Sequence, residues 1–520
     1  MSVLILGLDG ATWRNLRPWI REGELPNLER LAERGHTGTL QTTIPCTTIP
    51  AIPALLTGRD PVGLELFSFT QPDGAVIDAS DIEFPMIWDA IGEQHRSLVA
   101  NLRSTYPPYK LEGTLVSGDL FLPAEATDYV YPPSRQNEFA DFHRTEDIQR
   151  FDEIAKNPED NREELLKLAE SQVSRKWEHF KRLWREEEYD FGLFWIGKTD
   201  SIQHYFWHDQ DTILEHYRFV DKIVGEFLGD LEATNRILLS DHGFGQVPTR
   251  RFHVNTWLQC EGLLSVRGGQ LGRICYSVGQ EALTRYVPKS VIRSIYNRVT
   301  GGTSPEEVDK KDQLLLSDFE GIPGIDFAAS DAFLSFPWGI SAPDADKKTI
   351  SEIIHSLNAL RDEEGDQVVQ GAWTREEIYS GDRIKEVPEI VFLTTDKYRA
   401  VPQLSRSLYT KRSARRKIES QPVTGEHNAM RDGILILDGE GFADVDEPVL
   451  DVTEFAPTLV HLLGNSVPSS MSGTVREDLL SVDRSVERIE WERVERTGDR
   501  SDDSEEEIKN RLANLGYIDE

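Results

Sequence analysis

Three short apolar runs constrain the fold of this chain more than any other feature. They are VLILGL from Val3 to Leu8, FGLFWI from Phe191 to Ile196, and RILLS from Arg236 to Ser240. Apolar runs of this length are typical of strands that are buried on both faces of a parallel sheet. Helix-like segments lie between such runs, for example LPNLERLAERG and TILEHYRFVDKIVGEFLGDLE. Strands that alternate with helices predict an α/β protein with a mostly parallel, doubly wound sheet.

The patterning changes along the chain and predicts more than one structural part. At 520 residues, 38% of them hydrophobic, the chain can bury a sizeable core. We expect this core in two parts, residues 1–264 and 386–482, because strand and helix patterns return in VPEIVFLT, GILILDG and DVTEFAPTLVHLLG. Residues 265–385 have a looser pattern and are predicted to form a cap-like insertion. Residues 483–520 form a charged C-terminal tail, with helical potential in EEEIKNRLANLGY.

The charge of the chain excludes some classes of partner. Asp and Glu number 90 against 57 Lys and Arg, which gives a net charge of −33. This excess disfavours binding to a nucleic-acid backbone or to an anionic membrane surface. Acids spread over the whole length are typical of a halophilic protein in a salt-rich cytoplasm. Neither a nucleic acid nor an anionic membrane is therefore expected to be the main partner.

The cysteines and the apolar runs favour a cytoplasmic location. Cys46, Cys260 and Cys275 have no zinc-type spacing and leave one thiol unpaired in any disulfide scheme, which favours a reducing compartment. No apolar run approaches the roughly 20 residues of a membrane span, and the first run lacks the basic flank of a signal peptide. We expect no membrane segment, while the oligomeric state stays open.

Acidic and imidazole side chains follow or precede the predicted strands. Six residues share this placement: Asp9, Asp200, His204, Asp241, His242 and His427. Carboxylates mixed with imidazoles suit Zn²⁺, or Mn²⁺ as a substitute. Six ligands exceed the shell of one four-coordinate zinc, so they predict two divalent ions about 4 Å apart. Any one of these residues could instead occupy a turn or a helix cap, since Asp-His-Gly also suits a turn after a strand.

Eight sequence segments occur in an order that is specific to one superfamily. They are GLDGATW, LPNLERLAERG, TIPCTTIPAIPALLTGRDP, KTDSIQHYFW, SDHGFG, HVNTWLQCEGLL, TGEH and DVTEFAPTLVHLLG. With them the chain resembles the alkaline phosphatase superfamily, and within it the type I phosphodiesterase/nucleotide pyrophosphatase family and its archaeal branch. The resemblance implies an alkaline-phosphatase-like α/β sandwich with a two-metal site at the C-terminal edge of the sheet.

The resemblance also implies how the six candidate ligands divide between two zinc ions. One ion would be bound by Asp9, Asp241 and His242. The other would be bound by Asp200, His204 and His427.

The nucleophile of the resembling family is a Thr or Ser in a T-x-P context, which here is Thr48. A Thr hydroxyl is a poor nucleophile at its ordinary pKa, so it needs a metal to stabilise its alkoxide. Thr47 is the alternative, and its structural role would be that of an N-cap. Lys198 is a candidate for contacting a phosphate oxygen.

The resemblance implies a metal-dependent phosphodiesterase or pyrophosphatase-type hydrolase. Its substrate would be a small-molecule phosphate ester, and the reaction would pass through a phosphothreonine. Ala51 stands where many nucleotide pyrophosphatases have Asn, and DPVGLELF lacks their usual HG. Both differences argue against nucleotide substrates more than against phosphoryl transfer. The alternatives are a phosphomonoesterase or phosphomutase of the same superfamily, a sulfatase suggested by Cys46, and a non-catalytic metal-binding protein. The segment CTTIP lacks the C-x-P-x-R pattern of sulfatases.

Overall fold

The chain divides into two compact units, Met1–Val247 with Ala414–Glu520, and Pro248–Ser413. The computed structural model describes residues 1–92, 94–266, 324–411, 423–491, 493–494, 496, 502–515 and 517. The second unit begins before the predicted insertion at 265–385 and ends after it. Residues 267–323 of that insertion, Cys275 among them, lie outside the described residues. The role of the insertion as a cap stays a prediction.

The first part of the larger unit alternates strands and helices, as the apolar runs predict. Its elements are β1 (Val3–Leu8), α1 (Trp13–Arg21), α2 (Pro26–Arg34), β2 (His36–Gln41), α3 (Thr48–Thr57), α4 (Pro61–Leu64), α5 (Ile87–Ile91), β3 (Ser97–Leu102), β4 (Gly113–Ser117), β5 (Val130–Tyr131), α6 (Thr145–Ile154), α7 (Arg162–Glu186), β6 (Phe191–Ile196), α8 (Lys198–Phe206), α9 (Gln210–Gly229), β7 (Asn235–Leu239) and β8 (Gly245–Gln246). Short 3₁₀ helices occupy Ala79–Asp81 and Pro133–Phe139.

The second unit has its own small sheets and its own core. Its elements are β9 (Arg250–His253), α10 (Val254–Cys260), β10 (Phe333–Phe336), β11 (Gly339–Ser341), α11 (Lys347–Ala359), β12 (Val369–Thr374), α12 (Arg375–Ile378), β13 (Ile390–Thr394), β14 (Tyr398–Val401) and β15 (Tyr409–Lys411). One sheet has the order β10-β11-β13-β12 and another the order β14-β9-β15. Strand β13 is the run VPEIVFLT, so it belongs to this unit although the sequence analysis placed it with the core at 386–482.

The last part of the chain returns to the larger unit. Its elements are β16 (Gly425–Glu426), β17 (Asp432–Gly439), β18 (Val449–Asp451), α13 (Val452–Leu462), β19 (Val467–Pro468), β20 (Arg488–Ile489) and α14 (Asp502–Asn514). Helix α14 lies in the segment for which the sequence indicates helical potential. Its apolar residues Ile508 and Leu512 are buried, and so is Leu515 just beyond it. The charged tail therefore packs against the core in this region.

A nine-stranded sheet forms the centre of the larger unit, in the order β18-β2-β17-β7-β1-β6-β3-β4-β5. Strands β7, β1, β6, β3 and β4 run parallel to one another, and β17 runs antiparallel to β7. The protein is thus a mixed α/β fold with a mostly parallel central sheet, as the sequence predicts. In such a sheet, ligands bind beyond the carboxyl ends of the parallel strands.

The two central strands pack closely because a glycine faces a tryptophan. Gly7 in β1 pairs with Trp195 in β6. A Cβ atom at Gly7 would lie only 2.0 Å from the indole ring of Trp195, so no larger residue fits without displacing that ring. Strands β1 and β6 are buried at every position. This packing fixes the indole directly beneath the site described below.

Within the described part of the chain, none of the helices is both long and apolar enough to cross a membrane.

Candidate active site

The central sheet gathers the six predicted ligands at one edge. Five of them follow the carboxyl ends of β1, β6 and β7, two of these on helix α8 after β6, and the sixth precedes β17, which runs antiparallel to β7. All six side chains are buried, with exposed fractions between 0% and 3%: Asp9, Asp200, His204, Asp241, His242 and His427.

Each of the three carboxylates accepts hydrogen bonds through one oxygen only. Its other oxygen has no hydrogen-bond partner among the described residues. Asp9 accepts a hydrogen bond at Oδ2 from Trp195 Nε1 at 2.8 Å, and Asp241 accepts one at Oδ1 from the Gly10 amide at 3.3 Å. Asp200 likewise accepts hydrogen bonds only at Oδ2. The remaining oxygens are buried and have no hydrogen-bond partner among the described residues. Buried polar atoms are rarely left unpaired, so these oxygens indicate a missing ligand.

The three imidazoles follow the same pattern. Each Nδ1 lies 2.7–3.0 Å from a backbone carbonyl oxygen: His204 from Gly425, His242 from Gly243 and His427 from Cys46. This contact holds the proton on Nδ1 and leaves the lone pair of Nε2 facing the carboxylates, as in metal-binding histidines. Neither His204 Nε2 nor His427 Nε2 has a hydrogen-bond partner in the described structure.

The candidate ligand atoms converge in two groups. His242 Nε2 lies 3.4 Å from Asp241 Oδ2 and 3.7 Å from Asp9 Oδ1. Asp200 Oδ1 lies 3.4 Å from His204 Nε2 and 3.9 Å from His427 Nε2. Zinc bonds of about 2.0–2.1 Å would place tetrahedral ligand atoms about 3.3–3.4 Å apart. The observed separations are therefore close to what a divalent ion requires.

These distances group the side chains as the family resemblance implies for one ion. For the other ion, one of the three side chains differs. Asp9, Asp241 and His242 offer ligand atoms that all lie within 4.8 Å of one another. Asp200 and His427 form a second such group with His242 rather than with His204. His204 still contacts Asp200, as its 3.4 Å separation shows.

The electrostatics of the site also favour a bound cation. Burial raises the pKa of Asp9 well above its usual range, and the nearby carboxylates of Asp241 and Asp200 raise it further. Burial likewise raises the pKa of Asp241. Burial lowers the pKa of His427 well below its usual value, so its imidazole stays neutral, the form that binds metal. A divalent ion would offset the concentration of negative charge that these carboxylates create.

Arg103 is a member of the site that the sequence analysis did not identify. Its guanidinium is buried, and Nη1 lies 3.1 Å from Asp9 Oδ2 and 3.4 Å from Asp200 Oδ2. The residue directly follows β3, so it reaches the site in the same way as Asp9 does after β1. A signal was present in the sequence, because the mostly apolar run SLVAN is typical of a strand and the next charged side chain is Arg103.

Thr48 is the first residue of α3 and faces this centre. Its Oγ1 lies 3.2 Å from His242 Nε2 and 3.4 Å from Arg103 Nη1. Thr47 occupies the N-cap position, yet its hydroxyl donates to the carbonyl oxygen of Ile49 rather than capping a backbone amide. Of the two adjacent threonines, Thr48 is therefore the one whose hydroxyl contacts site residues.

Lys198, the candidate for a phosphate contact, is engaged by other side chains. Its Nζ lies 3.8 Å from the centre of the Phe151 ring and 3.5 Å from Asp119 Oδ2. Together with Arg103 it lines a cleft in the larger unit. Lys198 is thus placed beside a cavity that adjoins the site.

A third group of acids lies in the second unit and differs from the site. Asp362, Glu364 and Asp366 also converge, but Lys397 contacts all three. Arg250 adds ion pairs to Asp362 and Glu364. The protein itself thus supplies two cations to these three carboxylates.

The geometry agrees with a comparison against protein families. Residues 3–402 match the family model described as type I phosphodiesterase / nucleotide pyrophosphatase. The chain belongs to this family. It is accordingly a hydrolase of phosphoric ester bonds, as the sequence motifs imply. The match ends before His427, which the structure nevertheless brings to the other candidate ligands.

Solved structures show the same fold. Phosphonoacetate hydrolase from Sinorhizobium meliloti 1021, in complex with phosphonoformate, is 14% identical with a TM-score of 0.51, and the alignment covers 89% of this chain and 95% of that one. Murine ectonucleotide pyrophosphatase/phosphodiesterase 5 is 14% identical with a TM-score of 0.46, covering 92% of this chain and 100% of that one. The first of these similarities shows that this chain has the alkaline-phosphatase-like fold. No curated protein shows significant sequence similarity to the chain.

Proposed function

We propose that this protein hydrolyses phosphodiesters through a covalent phosphothreonine at Thr48. The observation that carries the proposal is the position of Thr48 Oγ1, 3.2 Å from His242 Nε2 and 3.4 Å from Arg103 Nη1. The hydroxyl thus lies between a candidate metal ligand and a buried cation. A nucleophile on a rigid element, surrounded by groups of fixed geometry, is what phosphoryl transfer requires.

Six side chains would hold two divalent ions, most simply Zn²⁺, with Mn²⁺ as a substitute. They are Asp9, Asp200, His204, Asp241, His242 and His427. When bound, such ions supply stabilisation of the threonine alkoxide and of the negative charge on the departing oxygen. The unpaired buried oxygens and nitrogens of these residues support this assignment.

The protein side chains then account for the remaining steps. Thr48 Oγ attacks phosphorus and loses its proton, the bond from phosphorus to the leaving oxygen breaks, and that oxygen takes up a proton. Arg103 donates to a non-bridging phosphoryl oxygen, because its Nη1 already lies within reach of Thr48. Water subsequently attacks phosphorus, the bond from phosphorus to Thr48 Oγ breaks, and a proton of that water passes to Oγ as the product leaves.

A phosphomonoesterase is the second candidate, and Arg103 is the observation that favours it. A guanidinium can pair with two oxygens of one phosphoryl group, which suits the doubly charged group of a monoester. A sulfatase receives less support: burial raises the pKa of the Cys46 thiol to about 12, and Thr48 stands beside His242. Lys198 is retained as a substrate-binding candidate through the cleft it lines.

The experiment is a parallel assay of bis-p-nitrophenyl phosphate, p-nitrophenyl phosphate and p-nitrophenyl sulfate with wild type, Thr48→Ala and Thr47→Ala. We expect the diester to be the best substrate, with kcat lost by about three orders of magnitude or more in Thr48→Ala, as for other catalytic nucleophiles. Thr47→Ala is the matched control and should retain most activity. Normal turnover by Thr48→Ala, or a preference for the sulfate ester, would reject the proposal.

A further inference from the structure

The end of the chain reaches the candidate active site. Helix α14 is anchored by Arg511, whose Nη1 donates to the carbonyl oxygens of Asp119, Leu120 and Leu122 at 2.8–3.1 Å. The same guanidinium forms an ion pair with Asp152 at 3.0 Å. Since Arg511 is buried, these contacts fix the helix against the core rather than leaving it as a solvated tail.

Tyr517, beyond α14, lies back against the helix. The amide of Tyr517 donates to the carbonyl oxygen of Leu512 at 3.0 Å. The tyrosine ring stacks on Phe69 with ring centres 4.5 Å apart. It is nearly perpendicular to the His204 ring, with the two ring centres 5.2 Å apart. The backbone and the ring are thus both constrained, so the hydroxyl of Tyr517 has a defined position.

That hydroxyl lies between two charged residues of the site. It donates a hydrogen bond to Asp200 Oδ2 and accepts one from Arg103 Nη1 at 3.0 Å. Asp200 presents its other oxygen, Oδ1, to His204 Nε2 at 3.4 Å. A hydrogen bond to one carboxylate oxygen restricts rotation of the group, so the contact with Tyr517 helps to direct Oδ1 towards the histidines.

We propose that Tyr517 is a positioning residue of the active site, which orients Asp200 for metal binding and Arg103 for the substrate. This rests on the proposed function for the role of Arg103, but the orientation of Asp200 concerns the chain's own ligand geometry. The C-terminal segment is in this account part of the active site. Its tyrosine acts through two neighbours and does not itself react with the substrate.

The test is Tyr517→Phe, which removes the hydroxyl and keeps the ring on Phe69. The matched control is Tyr129→Phe, because Tyr129 is a buried tyrosine whose hydroxyl donates to the Phe139 carbonyl at 2.7 Å. Three quantities are measured on the full-length chain: the dissociation constant for Zn²⁺ by competition with a chelator, kcat and KM on bis-p-nitrophenyl phosphate, and Tm.

We expect Tyr517→Phe to weaken Zn²⁺ binding and to lower kcat, each by about 10- to 100-fold, which is typical when a partner of a metal ligand is removed. Tyr129→Phe should change only Tm. Unchanged Zn²⁺ affinity and kcat in Tyr517→Phe, or the same small loss in both variants, would overturn the proposal. A higher kcat in Tyr517→Phe would also overturn it, since the hydroxyl would then obstruct the site.

These outcomes can be separated from those that concern the proposed function. If wild type hydrolyses no phosphate ester, the proposed function fails. Weaker Zn²⁺ binding in Tyr517→Phe would still support the positioning role, because that measurement does not depend on turnover. Conversely, an active wild type with an unaltered Tyr517→Phe variant would refute only the role of Tyr517.

Discussion

Two groups of acidic residues in this molecule have similar composition but opposite surroundings. At the edge of the central sheet, three buried aspartates each keep one oxygen without a hydrogen-bond partner in the described structure, and imidazole nitrogens face those oxygens. In the second unit, the group at Asp362 is bound by Lys397, and Asp362 Oδ2 also accepts from the hydroxyl of Tyr398 at 2.5 Å. Convergence of carboxylates alone therefore does not identify a metal site.

The difference lies in where the compensating charge comes from. Lys397 Nζ contacts Asp362 at 3.0 Å and Glu364 at 3.1 Å, so the protein supplies its own cation there. At the sheet edge Arg103 supplies one positive charge against three buried carboxylates. Burial of uncompensated charge is costly, and a bound divalent ion removes that cost. We therefore expect mutations in the two groups to have opposite effects on activity and on metal binding.

The largest expected effect is that of removing a ligand from the site at the sheet edge. Asp241→Asn keeps the shape of the side chain but loses its charge, and the remaining ligands cannot complete a four-coordinate shell. We expect kcat to fall by about two orders of magnitude or more, with weaker metal binding. The matched control is Asp362→Asn, whose kcat should stay close to that of wild type. Equal activities of the two variants would remove the distinction drawn between the groups.

A moderate effect is expected from the group in the second unit. Asp362→Asn should lower Tm by several degrees, because Lys397, Arg250 and Tyr398 lose a charged acceptor that they share. Added Zn²⁺ should raise Tm of this variant as much as it raises Tm of wild type, as measured by scanning calorimetry. If Asp362→Asn abolished part of the stabilisation by Zn²⁺, the second group would itself be a cation site.

The smallest expected effect concerns His216, a buried histidine whose ring nitrogens also lack hydrogen-bond partners in the described part of the chain. It belongs to none of the three groups of converging side chains described above. Burial, aided by the charge of Lys198, lowers its pKa to about 4. In the unfolded chain the pKa of a histidine is about 6.5. Between about pH 6.5 and about pH 4 the imidazole is therefore protonated in the unfolded chain but not in the folded one, so the free energy of unfolding decreases as the pH falls.

His216→Leu should therefore lose less stability on acidification than wild type does. The difference between the two chains should be roughly 1 kcal/mol when the pH is lowered from about 7.5 to about 5.5. Urea unfolding of both chains at the two pH values measures it, and metal content should be unchanged. An identical pH dependence in both chains would show that His216 is already protonated or exposed in the native state.

Much of the site could be predicted from the sequence because strand ends determine it. Asp9 and Asp241 directly follow apolar runs, and parallel strands must end at a common edge, so their proximity follows from the pattern. His427 precedes the strand GILILDG, and the structure places its Nε2 3.9 Å from Asp200 Oδ1. Helix α2 lies within the helix-like segment LPNLERLAERG and ends at Arg34, just before its glycine.

The rest of the site depends on tertiary contacts that no local pattern encodes. Arg103 follows an apolar strand like the aspartates do, but an arginine in that position is not distinctive without the carboxylates it faces. Tyr517 is 414 residues from Arg103 in sequence, and the packing of Ile508 and Leu512 together with the contacts of Arg511 brings it into the site. Likewise, an apolar run such as that of β13 indicates a strand but not the sheet to which it belongs.

The most direct test of the account is the metal content of the purified chain, measured by plasma mass spectrometry after purification without chelator. The account predicts about two divalent ions per chain, as in other two-metal hydrolases, with activity lost in EDTA and restored by Zn²⁺. His427→Ala should lower the content and Asp362→Asn should leave it unchanged. One ion or none in the wild type, or the same content in both variants, would contradict the claim that the sheet edge holds a two-metal centre.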